Sequence, residues 1–334
     1  MNYNEYGLNT NFMCALSGLN YSRISRAVSN VKLIPLPNSP KRNARYSISD
    51  CRSVLSEFTK KLSPVSRGNK VHSFFNFKGG TGKTSICYQV STHLALCGYN
   101  VLVVDTDQQG NTTATMGYTD NTKYPSLYDG IEKNLPHDKL ILNVFEGLDL
   151  IPANFSLVHL EKILRDKTGR EYAIKRYLSS MEDKYDFIFF DCNPSVSHIN
   201  RGVLTFSNHL NIVTETHPYS LQVLPVLMTD TEAYFNELEL EMPKIFIIPN
   251  KYEDRSTTSA EAMSVLVKNY GNMLEPDFAV RKSEDFLKSA RDHLPLSFFC
   301  KSNSIALEDI SDLVRIIITH SKDKEIGELF EEVA

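Results

Sequence analysis

From residue 71 onward the chain is punctuated by short apolar runs, at 71–77, 101–105, 148–151, 187–191, 212–214 and 245–249. They are rich in Val, Ile and Phe and do not alternate strictly with polar residues, the pattern of strands buried on both faces. Helix-length stretches separate them, 84–97 and 157–180 among them. The alternation predicts a mostly parallel sheet flanked by helices, an α/β fold. Before residue 71 the pattern breaks. Residues 63–70 read Ser-Pro-Val-Ser-Arg-Gly-Asn-Lys, polar and interrupted by Pro64 and Gly68, as a linker would be. The expected organisation is an N-terminal segment, 1–68, followed by one large domain, 69–334.

The composition fits this picture. The chain has 334 residues, 42% of them hydrophobic, enough for one large domain plus a small one. It has no run of 18 apolar residues, and Met-Asn-Tyr-Asn-Glu-Tyr at its start lacks the charge and apolar core of a secretory signal. The six cysteines form no Cys-x-x-Cys pair and are expected to be reduced thiols of a cytoplasmic protein, not a zinc site. The net charge of −4 is unevenly spread: residues 1–70 hold eleven Lys or Arg against three acids, Glu5, Asp50 and Glu57. The remainder has 25 basic and 37 acidic residues. A basic leader on an acidic body points to a polyanionic partner for the leader.

The strongest chemical signal is Phe77-Lys78-Gly79-Gly80-Thr81-Gly82-Lys83-Thr84, placed between a strand and a helix. Glycines let the backbone curl so that successive N–H groups aim at phosphate oxygens, and the following helix N-terminus adds its positive dipole end. Gly79, Gly80, Thr81, Gly82, Lys83, Thr84 and Ser85 form the expected phosphate cradle. Lys83 is suited to the β- and γ-phosphates and the Thr84 hydroxyl to Mg²⁺. The general pattern asks for glycine where this chain has Phe77. Two further strands end in acids: Asp105 and Asp107, in Asp-Thr-Asp-Gln-Gln-Gly-Asn, and Asp191, after Phe-Ile-Phe-Phe. Carboxylates at the C-terminal ends of parallel strands face the ligand crevice.

The sequence Lys-Gly-Gly-x-Gly-Lys-Thr resembles the deviant P-loop of the ATPases that include ParA-type partition proteins, MinD-like proteins and nitrogenase iron proteins. With the acidic segments in order, and weaker matches at 280–284 and 304–314, the resemblance covers 71–320. It implies ATP and Mg²⁺ as ligands and a homodimer in which Lys78 reaches the partner's nucleotide. It also implies that Asp107 orients the attacking water, Asp105 supports Lys83 or the metal shell, Asp191 holds Mg²⁺ with Thr84, and Asn250 bonds the base edge. Asn250-Lys-Tyr-Glu is also similar to the guanine-reading motif of GTPases, but the family context favours ATP. The family usually has proline at Gln108 and Pro-Pro-Ser where this chain has Asn193-Pro194-Ser195.

Within the family, an iron protein would need a second cysteine to accompany Cys192. A MinD-type protein would end in a basic amphipathic helix, whereas residues 322–332 here are acidic. A partition ATPase with a DNA-binding leader is the better match. Residues 19–26 are expected to form a recognition helix presenting Arg23 and Arg26 one turn apart. Lys41, Arg42 and Arg45 would form a basic wing, and 47–61 the next helix, opened by a Ser-Ile-Ser-Asp cap. Together they resemble a winged helix. By family resemblance, Arg281 and Lys282 would add a sequence-independent DNA contact, with Lys288 and Arg291 as further candidates. The resemblance implies a cytoplasmic, nucleoid-associated ATPase that partitions plasmids or chromosomes, is stimulated by a centromere-binding partner protein and has no membrane contact. The alternatives are an ATP- or ADP-switched autorepressor and a membrane-surface positioning ATPase.

Overall fold

Each run of apolar residues forms a strand whose two faces are both covered, so neighbours along the strand enter different cores. Phe74, Val101, Val103, Phe187 and Phe189 face one; Phe75, Leu102, Val104, Ile188 and Phe190 face the other. The computed structural model describes residues 3–37, 39–40 and 43–322. In chain order the strands are β1 (Leu8–Asn9), β2 (Arg45–Tyr46), β3 (Val71–Phe75), β4 (Val101–Asp105), β5 (Leu142–Phe145), β6 (Leu148–Ile151), β7 (Phe187–Asp191), β8 (His209–Glu215) and β9 (Lys244–Asn250). The last seven make one sheet in the order β5-β6-β4-β7-β3-β8-β9, parallel except for the β5–β6 pair. Between β3 and β4 the chain skips over β7. The order therefore reverses beside β3, where open α/β sheets bind ligands.

The N-terminal segment holds two helices, α1 (Thr10–Ser17) and α2 (Tyr21–Val31), joined through Gly18, Leu19 and Asn20. Gly18 ends α1 at φ +71, and the Asn20 side chain caps α2 by accepting from Arg23 N. A third helix, α3 (Ile48–Ser56), is capped by Ser47, which accepts from Asp50 N. The recognition helix is thus longer than the expected 19–26, and α3 shorter than 47–61. Arg45–Tyr46, at the end of the expected wing, pairs antiparallel with Leu8–Asn9, ahead of both helices. Lys41 and Arg42, the expected tip of the wing, lie outside the described residues, as does the acidic tail from 323 onward.

The leader is packed into the main domain. Met13, Leu16, Ile24, Val54 and Leu55 share a core with helix α4 (Lys83–Leu96) and with the helix Ile305–Ser321. The Leu16 carbonyl lies 3.0 Å from His93 Nε2, and Tyr6 stacks on Phe298 with ring centroids 5.5 Å apart. Arg52 is buried, donating to the carbonyls of Ala95 and Tyr99 and to Asn100 Oδ1. Its guanidinium lies against Gly147 of the β5–β6 turn, where a Cβ would collide with it. The expected linker is tied down as well: Ser66 N donates to Ser321 O at 3.0 Å, and Lys70 Nζ to Glu182 O at 2.6 Å. The expected division at residue 68 falls inside this packing.

The expected helix at 157–180 is broken. Leu157–Asp166 is helical, the backbone turns through Gly169 at φ +63, and a second helix runs Ala173–Leu178. Among the described residues no helix is long and apolar enough to cross a membrane.

Candidate nucleotide site

Strand β3 delivers the chain to the phosphate loop and Asn76 fixes the exit. Buried Asn76 donates from Nδ2 to Val213 O at 2.9 Å and accepts from Lys78 N, also at 2.9 Å. Gly80 and Gly82 take φ +77 and +98, a region that side chains rarely adopt. Gly82 precedes α4, whose N-terminus has no side-chain cap, leaving backbone N–H groups to point into the loop. Lys83 is buried there, and its Nζ lies 3.2 Å from the Lys78 carbonyl oxygen. Burial lowers the pKa of Lys83, partly offset by the charge of Asp191.

Beside the loop, β4 and β7 end in register, with Asp105 opposite Asp191. Asp191 Oδ2 accepts from Thr84 Oγ1 at 2.7 Å and from Thr112 Oγ1 at 2.6 Å. Its other oxygen, Oδ1, is buried with no hydrogen-bond partner. A buried carboxylate oxygen without a donor is costly in isolation and suits a hard cation. With the Thr84 hydroxyl it makes an all-oxygen donor set fitting Mg²⁺. Burial raises the Asp191 pKa to about 6, against the pull of the two threonine hydroxyls and of Lys83.

The other two acids differ. Both oxygens of Asp105 serve the loop after β4: Oδ2 accepts from Thr113 N and Oγ1, and Oδ1 from Asp107 N at 3.1 Å. Burial and then the nearby Asp191 push its pKa up to about 8. Asp105 therefore pins the loop, and Lys83 is not among its hydrogen-bond partners. Asp107 accepts from Gln109 N at 2.9 Å and lines the cavity beside the phosphate loop. Gln108, standing where proline was expected, is an exposed residue of that turn.

The cavity has a volume of about 640 Å³ and runs from Gly79–Ser85 past Asp107 and Asn250 to the helix Glu284–Asp292. Asn250 is buried at its edge. Its Nδ2 donates to Thr81 O at 2.7 Å and its Oδ1 accepts from Lys251 N at 2.8 Å, so the side chain expected to meet the base also braces the loop. Lys78 points away from its own cradle, donating to Ser220 Oγ at 2.6 Å and pairing with Glu215 at 3.1 Å.

Arg281, one of the residues expected to meet DNA, is paired with two acids. Asp309 accepts from its backbone N at 2.7 Å and from its Nε at 3.0 Å, and Glu308 from its Nη2 at 2.8 Å. Lys282 is exposed and pairs with Glu253 at 2.9 Å, Lys288 lies over the Phe299 ring, and Arg291 pairs with Asp292. In the leader, Arg23, Arg26 and Arg45 are all exposed, with Arg23 also over the Phe58 ring. Sequence reasoning missed Asn76, Thr112, Glu215 and Ser220. Of these only Glu215 carried a signal, an acid at the end of a parallel strand.

A glycine loop feeding a bare helix start, with a threonine hydroxyl held by the acid of the neighbouring strand, defines a P-loop nucleotide-binding protein. The chain belongs to the ParA-type partition ATPases, and a family model described as an AAA domain matches residues 69–243, over half its length. It is 28% identical over 270 residues to the cell division protein PomZ of Myxococcus xanthus, covering 80% of this chain and 82% of that protein. It is 26% identical over 206 residues to the chromosome partitioning protein ParA of Caulobacter vibrioides, covering 61% of this chain and 77% of that one. Among solved structures it resembles a complex of Cyanothece McdA with ATP, at TM-score 0.67 and 18% identity, over 75% of this chain and 96% of that one. That likeness is one of fold.

Proposed function

We propose that the chain is an ATP-driven partition switch: ATP closes a homodimer, the dimer holds DNA, and hydrolysis stimulated by a centromere-binding partner protein releases it. The observation that carries this reading is the division of labour between two lysines of one loop. Lys83 is buried in the cradle of its own subunit, whereas Lys78 Nζ lies outside it on Glu215 and Ser220. A lysine so placed is suited to a nucleotide held by a second subunit, where it offsets charge on the transferred phosphoryl group.

Thr84 and Asp191 would hold Mg²⁺, which when bound neutralises charge on the β- and γ-phosphates. Lys83 and the amides of 79–84 orient the triphosphate, and Asp107 orients the attacking water. Asp105 holds the loop that carries Asp107. Asn250 braces the loop from behind. DNA would be held chiefly by Arg23, Arg26 and Arg45 of the leader, with Lys41 and Arg42 beside them and Lys282 on the main domain, through phosphate contacts that weaken with salt. In this reading the protein works in the cytoplasm, at the nucleoid.

A gel shift of random DNA without nucleotide, with ADP and with ATP tests the proposal. Binding that needs ATP and is lost in Lys78→Ala supports it; ATP-dependent binding retained by that variant refutes the trans role of Lys78. A second reading, a nucleotide-switched autorepressor, draws on the α1–turn–α2 unit with Arg23 and Arg26 exposed. It requires one preferred DNA site, bound best with ADP.

A further inference from the structure

Glu215, the last residue of β8, is the meeting point of two lysines. Its Oε2 pairs with Lys78 Nζ at 3.1 Å and accepts from Ser220 Oγ at 3.0 Å, while its Oε1 pairs with Lys251 Nζ at 2.6 Å. Ser220 Oγ in turn accepts from Lys78 at 2.6 Å, and Lys251 also donates to the Gly80 carbonyl at 2.6 Å. Lys78 thus has two partners in its own subunit, and Glu215 has two cations.

We propose that Glu215 is a positioning residue for Lys78: it clasps the lysine to its own subunit and sets how readily Lys78 is released toward a partner's nucleotide. The inference rests on the trans role of Lys78 proposed above. Glu215 is about one-fifth exposed, so leaving it without a cation carries a real desolvation cost. Lys251 changes that balance. When Lys78 departs, Lys251 stays on the other oxygen, and the carboxylate is never stranded. Lys251 therefore lowers the cost of release while Glu215 raises it. Without Glu215, Lys78 and Lys251 are left as neighbouring like charges, which also favours departure of Lys78.

The two substitutions act in opposite directions. Glu215→Gln removes the charge that holds Lys78 and favours the dimer. Lys251→Ala leaves Glu215 with Lys78 alone, tightens the clasp and disfavours the dimer. A residue that merely stabilised the fold would weaken dimerisation in both cases.

The test is sedimentation velocity of the full chain with Mg²⁺ and a slowly hydrolysed ATP analogue, at low and at high salt. Analogue affinity of the monomer and thermal melting serve as controls for folding. E215Q is expected to lower the protein concentration for half-dimerisation about two- to fivefold, and K251A to raise it by a similar factor. Both shifts shrink at high salt. Ser220→Ala, which removes a neutral contact to Lys78, should move the midpoint the same way as E215Q and keeps the test available if E215Q does not fold. Loss of dimerisation in E215Q, or equal midpoints in E215Q, S220A and wild type, overturns the clasp. Lys78→Ala is run alongside. If it fails to dimerise while E215Q is neutral, the clasp alone is wrong; if it dimerises like wild type, the trans role falls and the clasp falls with it.

Discussion

Asn250 donates from Nδ2 to the Thr81 carbonyl at 2.7 Å and occupies the space that a Cβ on Gly82 would need. The two residues are locked together, one bracing the loop and the other making room for the brace. Asn250→Ala should therefore weaken ATP and GTP by the same factor, about tenfold for one lost buried hydrogen bond. Calorimetric titration with both nucleotides checks this. A changed ratio between them would restore a base-reading role for Asn250. Gly82→Ala should abolish binding of both.

Asp191 carries the only carboxylate oxygen buried without a partner among the described residues. If that oxygen is there for a cation, Asp191→Asn should retain some nucleotide affinity but lose the enhancement given by Mg²⁺. The expected loss is about 10- to 100-fold in affinity with Mg²⁺ present and much less with a chelator. Fluorescent-nucleotide titrations under the two conditions separate these effects.

The two groups of candidate DNA residues should part company. Arg23→Ala with Arg26→Ala is expected to weaken DNA binding and reduce the slope of log affinity against log salt by about two. Arg281→Ala should leave DNA affinity unchanged. It should instead destabilise the fold by about 1–3 kcal/mol, because Asp309, with a side chain only 5% exposed, loses its cation. Salt-dependent binding and urea denaturation of the same proteins measure both.

Acid should act on the fold through three buried histidines. His72 and His209 stack 4.4 Å apart on adjacent strands, and His93 lies under the leader. Burial lowers all three pKa values, that of His209 to about 3 and that of His93 to about 4. Below about pH 6.5 the unfolded chain takes up protons that the folded chain does not, so this contribution to stability is lost as pH falls. Asp105 and Asp191, whose pKa values are raised, work in the opposite sense, so the test is by difference. Between about pH 7.5 and pH 5, His209→Gln should lose about 2 kcal/mol less stability than wild type. Urea denaturation at the two pH values reads it.

What could be read from the residues alone was whatever chemistry lies in a short stretch of chain. The phosphate loop is contiguous, its glycines are demanded by backbone conformation, and the strands around it are unbroken apolar runs. The six runs expected to be strands all lie in the sheet, and the helix expected at 84–97 runs Lys83–Leu96. The partners of the site residues were another matter. Glu215 lies 137 residues from Lys78, and Asp309 lies 28 residues beyond Arg281, distances over which spacing says nothing. Arg281 looked like a surface cation because its neutralising acids lie on the helix Ile305–Ser321, far along the chain. Strand β5 escaped notice because its four residues mix Asn143 with three apolar residues. Residues 63–70 have the composition of a tether, yet their backbone is held by Tyr99 and Ser321.

Helix α4 is a rod about 21 Å long by its 14 residues. Its first turn closes the phosphate loop, and its last turn lies beneath Leu16 and Arg52 of the leader. Leu16 belongs to α1 and Arg52 to α3, and both helices pack on α2, which bears Arg23 and Arg26. A loose tether would leave the two ends independent; here one helix is part of both, its first turn in the phosphate loop and its last under the leader.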